Sequence, residues 1–513
     1  MERNVEELLK QNLTSSYENN KVMVQSILPD HADLVTREFF FHEEKNIAIV
    51  CFYFDGLVKS DLISSVIDSF IYQAPRLLKD IDLTTLYKKL PEKINKHILH
   101  AHNVKQVTKI QDIIDGILSG DTVFIIDKCD QAILVSTRGW NERSVSEPQA
   151  EQVVIGPRDG FTENLRTNTA LVRRRIRDPL FSIKSTTVGK RTKTTINIAF
   201  LEGTVKEGLV EEVMNRINKI EIDGVIDSGY ITELIEDSPF SPFTTVQSTE
   251  RPDKVAASIL EGRVAIFVDN SPFVLIVPAY FWQFLQASDD YYSKYLTGSF
   301  FRIIRYFAFI ISLVLTSVYV MLISFHQEMI PTALALTIAS GRDVTPFPVL
   351  LEALIMETSF ELMREAGLRM PKPVGQAVSI VGSLVIGQAA VQAGLISPFM
   401  VIIVAITGIA SFVIPNYAAS YSIRLIRFPL LIASGMLGLL GFSVVFALIA
   451  IHALSLRSFG ESYLSPASPF QPSDQKDSFF RMPWWKMERL PSLAAGKGRS
   501  ANIQKPKANE NED

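Results

Sequence analysis

Apolar residues follow two different rhythms along this chain. Up to about residue 300 they come in short runs bounded by glycine or charge, among them Ile47–Phe54, Val123–Ile126, Ile196–Leu201 and Val264–Val268. Runs of that length between helical periodicities predict buried strands alternating with helices. Beyond residue 300 the runs lengthen. Tyr306–Phe325 contains no charge over 20 positions, about 30 Å of helix and the thickness of a bilayer's hydrocarbon core. Val374–Ile423 is uncharged for 50 positions, and Phe428–Leu456 is uncharged apart from His452 near its end.

These rhythms predict a multidomain chain: an N-terminal α/β region of two related subdomains (1–145 and 146–297), then an all-α integral membrane domain (298–456) and a polar tail (457–513). About four transmembrane helices are expected, near 306–325, 376–396, 398–415 and 428–454. Charge sharpens the division. Residues 301–456 hold 14 charged side chains in 156 positions, within a chain of 513 residues with 51 basic and 55 acidic side chains. Such a segment excludes a wholly soluble enzyme.

Orientation follows from Arg302 and Arg305, which place the start of the first span in the cytoplasm. The opening Met1–Glu7 carries no apolar run, which predicts a cytoplasmic N-terminal region. Four spans return Arg457 to the same side, but Arg424 and Arg427 then fall in an outside loop. A re-entrant segment would resolve that conflict. In span 376–396, Ser379, Ser383, Gly387, Ala390 and Gly394 share one stripe, which suits close helix packing in lipid. Gln388 and Gln392 lie on another face and should make polar contacts within the bundle or meet water. Gly435, Gly438 and Gly441 repeat the small-residue device in the last span.

Pro348–Leu368 reads as an amphipathic helix, acidic on one side. Glu357, Glu361, Arg364 and Glu365 cluster, Leu351, Ile355, Met356, Phe360, Leu362 and Met363 oppose them, and Glu352 falls among the apolar positions. Carboxylates beside membrane spans face a water-filled cavity or an internal partner, and in a ring of subunits Glu352, Glu357, Glu361 and Glu365 would line a cation path. A helix lying flat among headgroups is the alternative.

The soluble region carries an internal echo. Ile117-Leu118-Ser119-Gly120, Val123–Ile126 and Asp127, ending at Trp140, match Ile259-Leu260-Glu261-Gly262, Val264–Val268 and Asp269, ending at Trp282, at an offset of 142. Ile47–Phe54 with Asp55-Gly56 matches Ile196–Leu201 with Glu202-Gly203 at an offset of 147. Two copies of one α/β unit, meeting near 141–150, are expected. Between them lies a basic block, 158–193, with ten basic residues against three acidic ones. Arg158, Arg166, Arg173, Arg174, Arg175 and Arg177 form its first half, suited to anionic headgroups, an acidic neighbour or a solvated face. No interleaved aromatics suggest nucleic acid. Walker, HExxH, CxxC and GxSxG motifs are absent, so neither enzyme activity nor a cofactor is expected. Cys51 and Cys129 lack metal-site spacing and read as buried thiols.

Several long stretches resemble the A subunits of spore germinant receptors, the GerA family. They are Val154-Ile155-Gly156-Pro157-Arg158-Asp159-Gly160-Phe161-Thr162-Glu163-Asn164, Thr249-Glu250-Arg251-Pro252-Asp253-Lys254, Phe325-His326-Gln327-Glu328-Met329-Ile330-Pro331-Thr332, Phe360-Glu361-Leu362-Met363-Arg364-Glu365-Ala366-Gly367 and Val381-Gly382-Ser383-Leu384-Val385-Ile386-Gly387-Gln388. The likeness spans about residues 25–495. It implies a multi-pass protein of the spore's inner membrane with a cytoplasmic N-terminal region. It also implies partnership with a transporter-like B subunit that senses the nutrient and a lipoprotein C subunit, and assembly of the A subunit into an oligomeric cation channel. A non-conducting scaffold and an accessory paralogue that amplifies germination remain the rival readings.

Overall fold

In a computed structural model of the chain the described residues are 5–29, 31–42, 47–73, 104–139, 147–370, 387–487 and 490–491. In the first unit, helix α1 (Tyr17–Ile27) precedes strands β1 (Leu34–His42) and β2 (Ile47–Phe54) and helix α2 (Ser60–Asp68). Strand β3 (Val104–Val107), helix α3 (Ile110–Leu118) and the hairpin β4 (Thr122–Ile126) and β5 (Ala132–Val135) follow. The sheet is antiparallel, in the order β1-β2-β4-β5-β3. Trp140 lies outside the described residues.

The second unit repeats this path. Helix α4 (Leu165–Arg173), β6 (Phe181–Val188), β7 (Thr194–Leu201), α5 (Leu209–Asn218), α6 (Ser228–Ile235), β8 (Gln247–Thr249), α7 (Pro252–Leu260), β9 (Val264–Val268) and β10 (Val274–Val277) give the sheet order β6-β7-β9-β10-β8. The likeness extends to single hydrogen bonds. The backbone N–H of Leu13 donates to Thr108 O, as that of Phe161 does to Glu250 O, and Asp55 N to Asp33 O has its counterpart in Glu202 N to Leu180 O. The repeated Ile-Leu-x-Gly is a helix stop: Gly120 and Gly262 adopt φ of 88° and 86° just past α3 and α7, where a Cβ would be strained.

Each unit also buries an asparagine that clamps the chain entering its first helix. Asn20 accepts from Thr14 N (2.9 Å) and donates to Thr14 O (2.7 Å), and Asn168 does the same with Thr162 (2.8 and 2.6 Å). The oxygen and the nitrogen of each side-chain amide thereby both have a backbone partner. Cys51 and Cys129 are buried thiols outside any disulfide, and burial pushes them up to about 11 and about 12, away from reactive thiolates.

The units are joined by part of the basic block. Arg173, with 0% exposure, makes a forked pair with Asp33 (2.6 and 2.8 Å) and stacks 3.8 Å from the centre of Phe54. Arg166 pairs with Asp55 across the same boundary.

Helix α8 (Tyr295–Phe325) then leaves the second unit, followed by α9 (Thr332–Arg342), α10 (Val349–Arg369), α11 (Gly387–Gln392), α12 (Pro398–Phe412) and α13 (Tyr417–Ser455). Two of these, α8 and α13, are long and apolar enough to cross a membrane, each with a window of mean hydropathy 2.4. The run expected as one span over 428–454 belongs to α13, which is not straight. Gly438, at φ 60° and ψ −139°, breaks it. Gly441 there packs against the Ala433 carbonyl, eight residues back, so the chain doubles over. Both limbs return to the second unit: Ala419 and Ser422 share a cavity with Phe243, and His452 Nε2 lies 2.9 Å from Ser241 Oγ. Leu439 N–H, freed at the bend, donates to His326 Nε2 (3.2 Å) at the opposite pole.

The start of the tail is a clasp rather than a loose extension. Asp477 accepts from Arg302 (2.9 Å) and from the Tyr291 hydroxyl (2.8 Å), and Trp282 Nε1 donates to Leu464 O (3.0 Å). Asp290 accepts from Arg305 (2.6 and 2.8 Å) and from Arg302 (3.2 Å). Arg302 and Arg305, read from the sequence as marking the cytoplasmic end of the first span, are buried in ion pairs. The chain enters and leaves its helical region at one pole.

Two outcomes follow from these packings. Arg173→Met leaves Asp33 without its cation at the boundary between the units, and should cost about 3–5 kcal/mol, read as urea unfolding with early hydrogen exchange in β1 and β2. Burial pushes the Glu236 carboxyl, beside the clasp, from 4.5 up to about 7. The folded chain then holds that proton to higher pH than the unfolded chain, so this group's contribution is present at low pH and is lost between about 4.5 and 7. Glu236→Gln should flatten that part of the stability profile, measured as unfolding midpoints from pH 4 to 8.

Candidate functional site: a charged node between apolar helices

Helix α10 begins after Pro348, whose extended backbone sets the first turn. It runs for 21 residues, about 32 Å. Its faces are the reverse of a soluble helix. Glu352 and Glu357 are 0% and 1% exposed, whereas Leu362 and Leu368 are 67% and 53% exposed. The neighbours follow suit: α8 turns Arg302, Ser312, Thr316 and Ser317 inward and Phe300, Phe307 and Ile310 outward. Helix α12 buries Thr407 and Ser411 and exposes Ile402, Ile409 and Phe412. Polar groups inside and large apolar groups outside suit helices surrounded by hydrocarbon.

Four helices meet at Glu357. Its carboxylate accepts from the Thr316 hydroxyl of α8 (2.8 Å) and pairs with Arg427 of α13 (2.8 Å), while Thr316 also touches Thr407 of α12 (3.1 Å). One turn on, Glu361 pairs with Arg424 (2.7 Å) and Arg427 (3.1 Å). Farther along, Arg364 donates to Ser411 Oγ (3.0 Å) and lies over Phe412. Toward the other end, Glu352 pairs with Arg342 of α9 (3.1 Å) and accepts from Ser397 N (3.3 Å). Glu365 is more exposed and pairs with Arg369 on its own helix (2.7 Å).

The four glutamates of the expected cation path thus lie on one helix, each with an arginine beside it. Three of them face the bundle and Glu365 lies nearer its surface. Arg424 and Arg427 do not occupy a loop, as the four-span reading had it, but stand on the first limb of α13 as partners of α10. Gln388 and Gln392, expected to make polar contacts within the bundle, are exposed on α11. Of the small-residue stripe, Gly387 is buried beside Val401 and Ala390 packs in the bundle. Gly394 sits beyond the helix in a left-handed turn beside the Val344 carbonyl, so the stripe stops short of it. Ser379 and Ser383 lie outside the described residues. Gly435 admits Leu350 of α10, and Gly438 and Gly441 form the bend.

In the basic block, Arg158 meets Glu147 (3.3 Å), Arg175 grips Asp159 (2.6 Å), and Arg177 is exposed. Arg158, Arg166 and Arg174 line an open cleft of about 900 Å³ between the two units. Arg173 is too deeply buried to form part of a contact surface. Among the described residues no group of three or more His, Cys, Asp or Glu is placed to hold a metal ion.

The arginine partners were the part that sequence reasoning missed. Glu357 and Glu361 stand four apart, and Arg424 and Arg427 three apart, each pair on one helix face. Two such pairs in otherwise uncharged surroundings were a readable signal. Thr316 and Thr407 offered none, because buried hydroxyls are common in membrane helices.

The family model described as "Bacillus/Clostridium GerA spore germination protein" matches residues 22–493. The chain is 43% identical to spore germination protein KA of Bacillus subtilis, over 93% of this chain and 86% of that protein. It is 41% identical to the uncharacterized membrane protein YfkQ of the same organism, over 100% and 97%. It is 37% identical to spore germination protein A1, also of Bacillus subtilis, over 91% and 93%. Among solved structures, the N-terminal domain of the A subunit of the Bacillus megaterium spore germinant receptor GerK3 aligns with 53% of this chain and 98% of that one, at 30% identity and a TM-score of 0.42.

If the node is a buried ion pair, its two halves must be coupled. Arg427→Met alone should cost about 3–5 kcal/mol by stranding Glu357, and the double change Glu357→Met with Arg427→Met should recover most of that. Thermal unfolding of the four members of the cycle measures the coupling.

Proposed function

The chain belongs to the GerA family of spore germination proteins, and on that premise we propose that it is the A subunit of a nutrient-triggered germinant receptor. Its membrane helices, assembled with further copies of the chain, would form a path for monovalent cations. A B subunit that binds the nutrient and a lipoprotein C subunit are the expected partners, and the spore's inner membrane is the expected site. The α/β units would then lie on the cytoplasmic side.

The observation that carries this reading is the charged node: carboxylates and hydroxyls are kept inside a bundle whose outer faces are apolar. A bundle that served only as an anchor has no need of buried glutamates, which are costly in such surroundings. The helix directions also support a membrane domain with more crossings than four. Helix α8 leads from the pole at Arg302 to that at His326; α10 returns from Glu352 to Arg364; α12 returns from Ser397, beside Glu352, to Phe412. The limbs of α13 run out and back. Among the described residues, α8, α10, α12 and the two limbs of α13 make five passes between the poles. On this reading Arg424 and Arg427 lie within a membrane limb, which would remove their conflict with the rule for positive charge.

Nutrient bound to a partner subunit would favour an open arrangement only through a difference in affinity between the states. On this reading the ion pairs belong to a closed state in which the carboxylates are neutralised, and opening would separate α10 from the first limb of α13. Glu361→Gln and Glu357→Gln should then alter nutrient-triggered potassium release from spores while the receptor still assembles. Unaltered release in spores carrying both changes would remove the glutamates from conduction.

A second reading is favoured by the arginines themselves: the ion pairs would hold the helices together in a scaffold that conducts nothing. Absence of ion flux from liposomes that contain the chain with its partners would support the scaffold.

A further inference from the structure

A cavity of about 340 Å³ lies where the second α/β unit meets the helix ends. Arg251, Lys254 and the 149–153 segment form one wall, and Arg364, Ser411 and Tyr417 the other. The first wall is neutral, since Arg251 pairs with Asp253 (2.8 Å) and Lys254 with Glu151 (2.7 Å). The second is not.

In the node, Arg364, Arg424 and Arg427 stand against Glu357 and Glu361, leaving one positive charge over. Glu361 and Glu357 are committed to Arg424 and Arg427. Arg364 has no carboxylate within ion-pair distance among the described residues, whereas Arg302, Arg305, Arg342 and Arg369 of the same helices each have one. Among the described residues its guanidinium has one hydrogen bond, to the Ser411 hydroxyl, and lies 4.1 Å from the centre of the Phe412 ring. A guanidinium presents five donors in a planar fork suited to oxyanions. A hydroxyl and a ring face leave most of its donors unmatched in half-buried surroundings, and a bound anion offsets that cost.

We propose that this cavity is an oxyanion site for a phosphate group, with Arg364 as its cation. The position suits the phosphate of a lipid headgroup. Exposed Phe412 and Tyr417 stand at the rim, where α12 ends and α13 begins, as aromatic residues do at a membrane boundary. Free phosphate has the same chemistry. Because the walls come from the soluble unit and from the bundle, an anion here would tie the two together, next to the ion pairs of the node. The membrane reading bears only on the lipid source, and conduction is not assumed.

The test uses the full chain in maltoside micelles, which carry no phosphate, with unfolding midpoints recorded against added inorganic phosphate or an increasing fraction of phosphatidylglycerol. A wild-type midpoint raised by phosphate identifies a free anion, and one raised by phosphatidylglycerol alone identifies the lipid. Arg364→Gln should weaken the apparent affinity about ten-fold or more, while Arg369→Gln, which lies outside the cavity, keeps the response. If Arg364→Gln does not fold, Arg364→Lys, which keeps the charge but loses the fork, should show an intermediate loss. No response in wild type to either probe, or a response unchanged by the Arg364 substitutions, overturns the proposal.

Discussion

A carboxylate removed from water must keep a cation beside it or give up its charge, and the arrangement of the helices turns on that constraint. Glu357 and Glu361 commit α10 to the first limb of α13, because Arg424 and Arg427 are the cations within reach. Thr316 of α8 donates to Glu357 and touches Thr407 of α12, which brings those two helices to the same point. In hydrocarbon, apolar contact alone selects helix partners weakly, since lipid tails are as apolar as leucine. Directional pairing of a few buried groups therefore supplies the specificity that the outer leucines and isoleucines cannot.

The same economy governs the junction with the soluble region. Asp290 and Asp477 hold Arg302 and Arg305 at the start of α8, and Arg481 of the tail donates to the backbone carbonyls of Asp290 and Ser293. Helix α8, the second α/β unit and the clasp are thus one hydrogen-bonded assembly. A movement of the second unit would be transmitted to α8 through buried ion pairs, which break less readily than solvated contacts. The Arg173–Asp33 pair performs the equivalent task between the two units. The block 158–193 is locally basic within a chain of 51 basic and 55 acidic side chains, and the fold uses its Arg166 and Arg173 as internal joints.

What could be read in advance depended on the range of the interaction. The duplication was legible because strands, helix stops and hairpins are local: the offsets of 142 and 147 reappear in both sheets, down to Lys128 and Asn270 at positive φ in matching hairpin turns. Helix α10 and its acidic positions were legible from periodicity. Its orientation was not, because an amphipathic pattern does not say whether water or a bundle faces the polar side; Leu362 outside and Glu357 inside decide that. The bend at Gly438 was hidden for a related reason. A glycine in an apolar helix reads equally as a packing site or a break, and contact between Gly441 and Ala433 settles which.

The charge balance of the node constrains any account of conduction. Carboxylates that each keep an arginine cannot act as an open ring of negative charge, so a cation path along α10 requires those arginines to move or to exchange partners. Arg427 is shared by Glu357 and Glu361, one turn apart. A displacement of the first limb of α13 by one turn would release one glutamate while keeping the other paired, a change between two discrete packings rather than a gradual loosening. The bend at Gly438 gives that limb a place to pivot, and the clasp at the other pole keeps the returning limb fixed. If the chain conducts as proposed, a gate built in this way would stay closed through its ion pairs and open by exchanging them, at no stage leaving every buried charge without a partner.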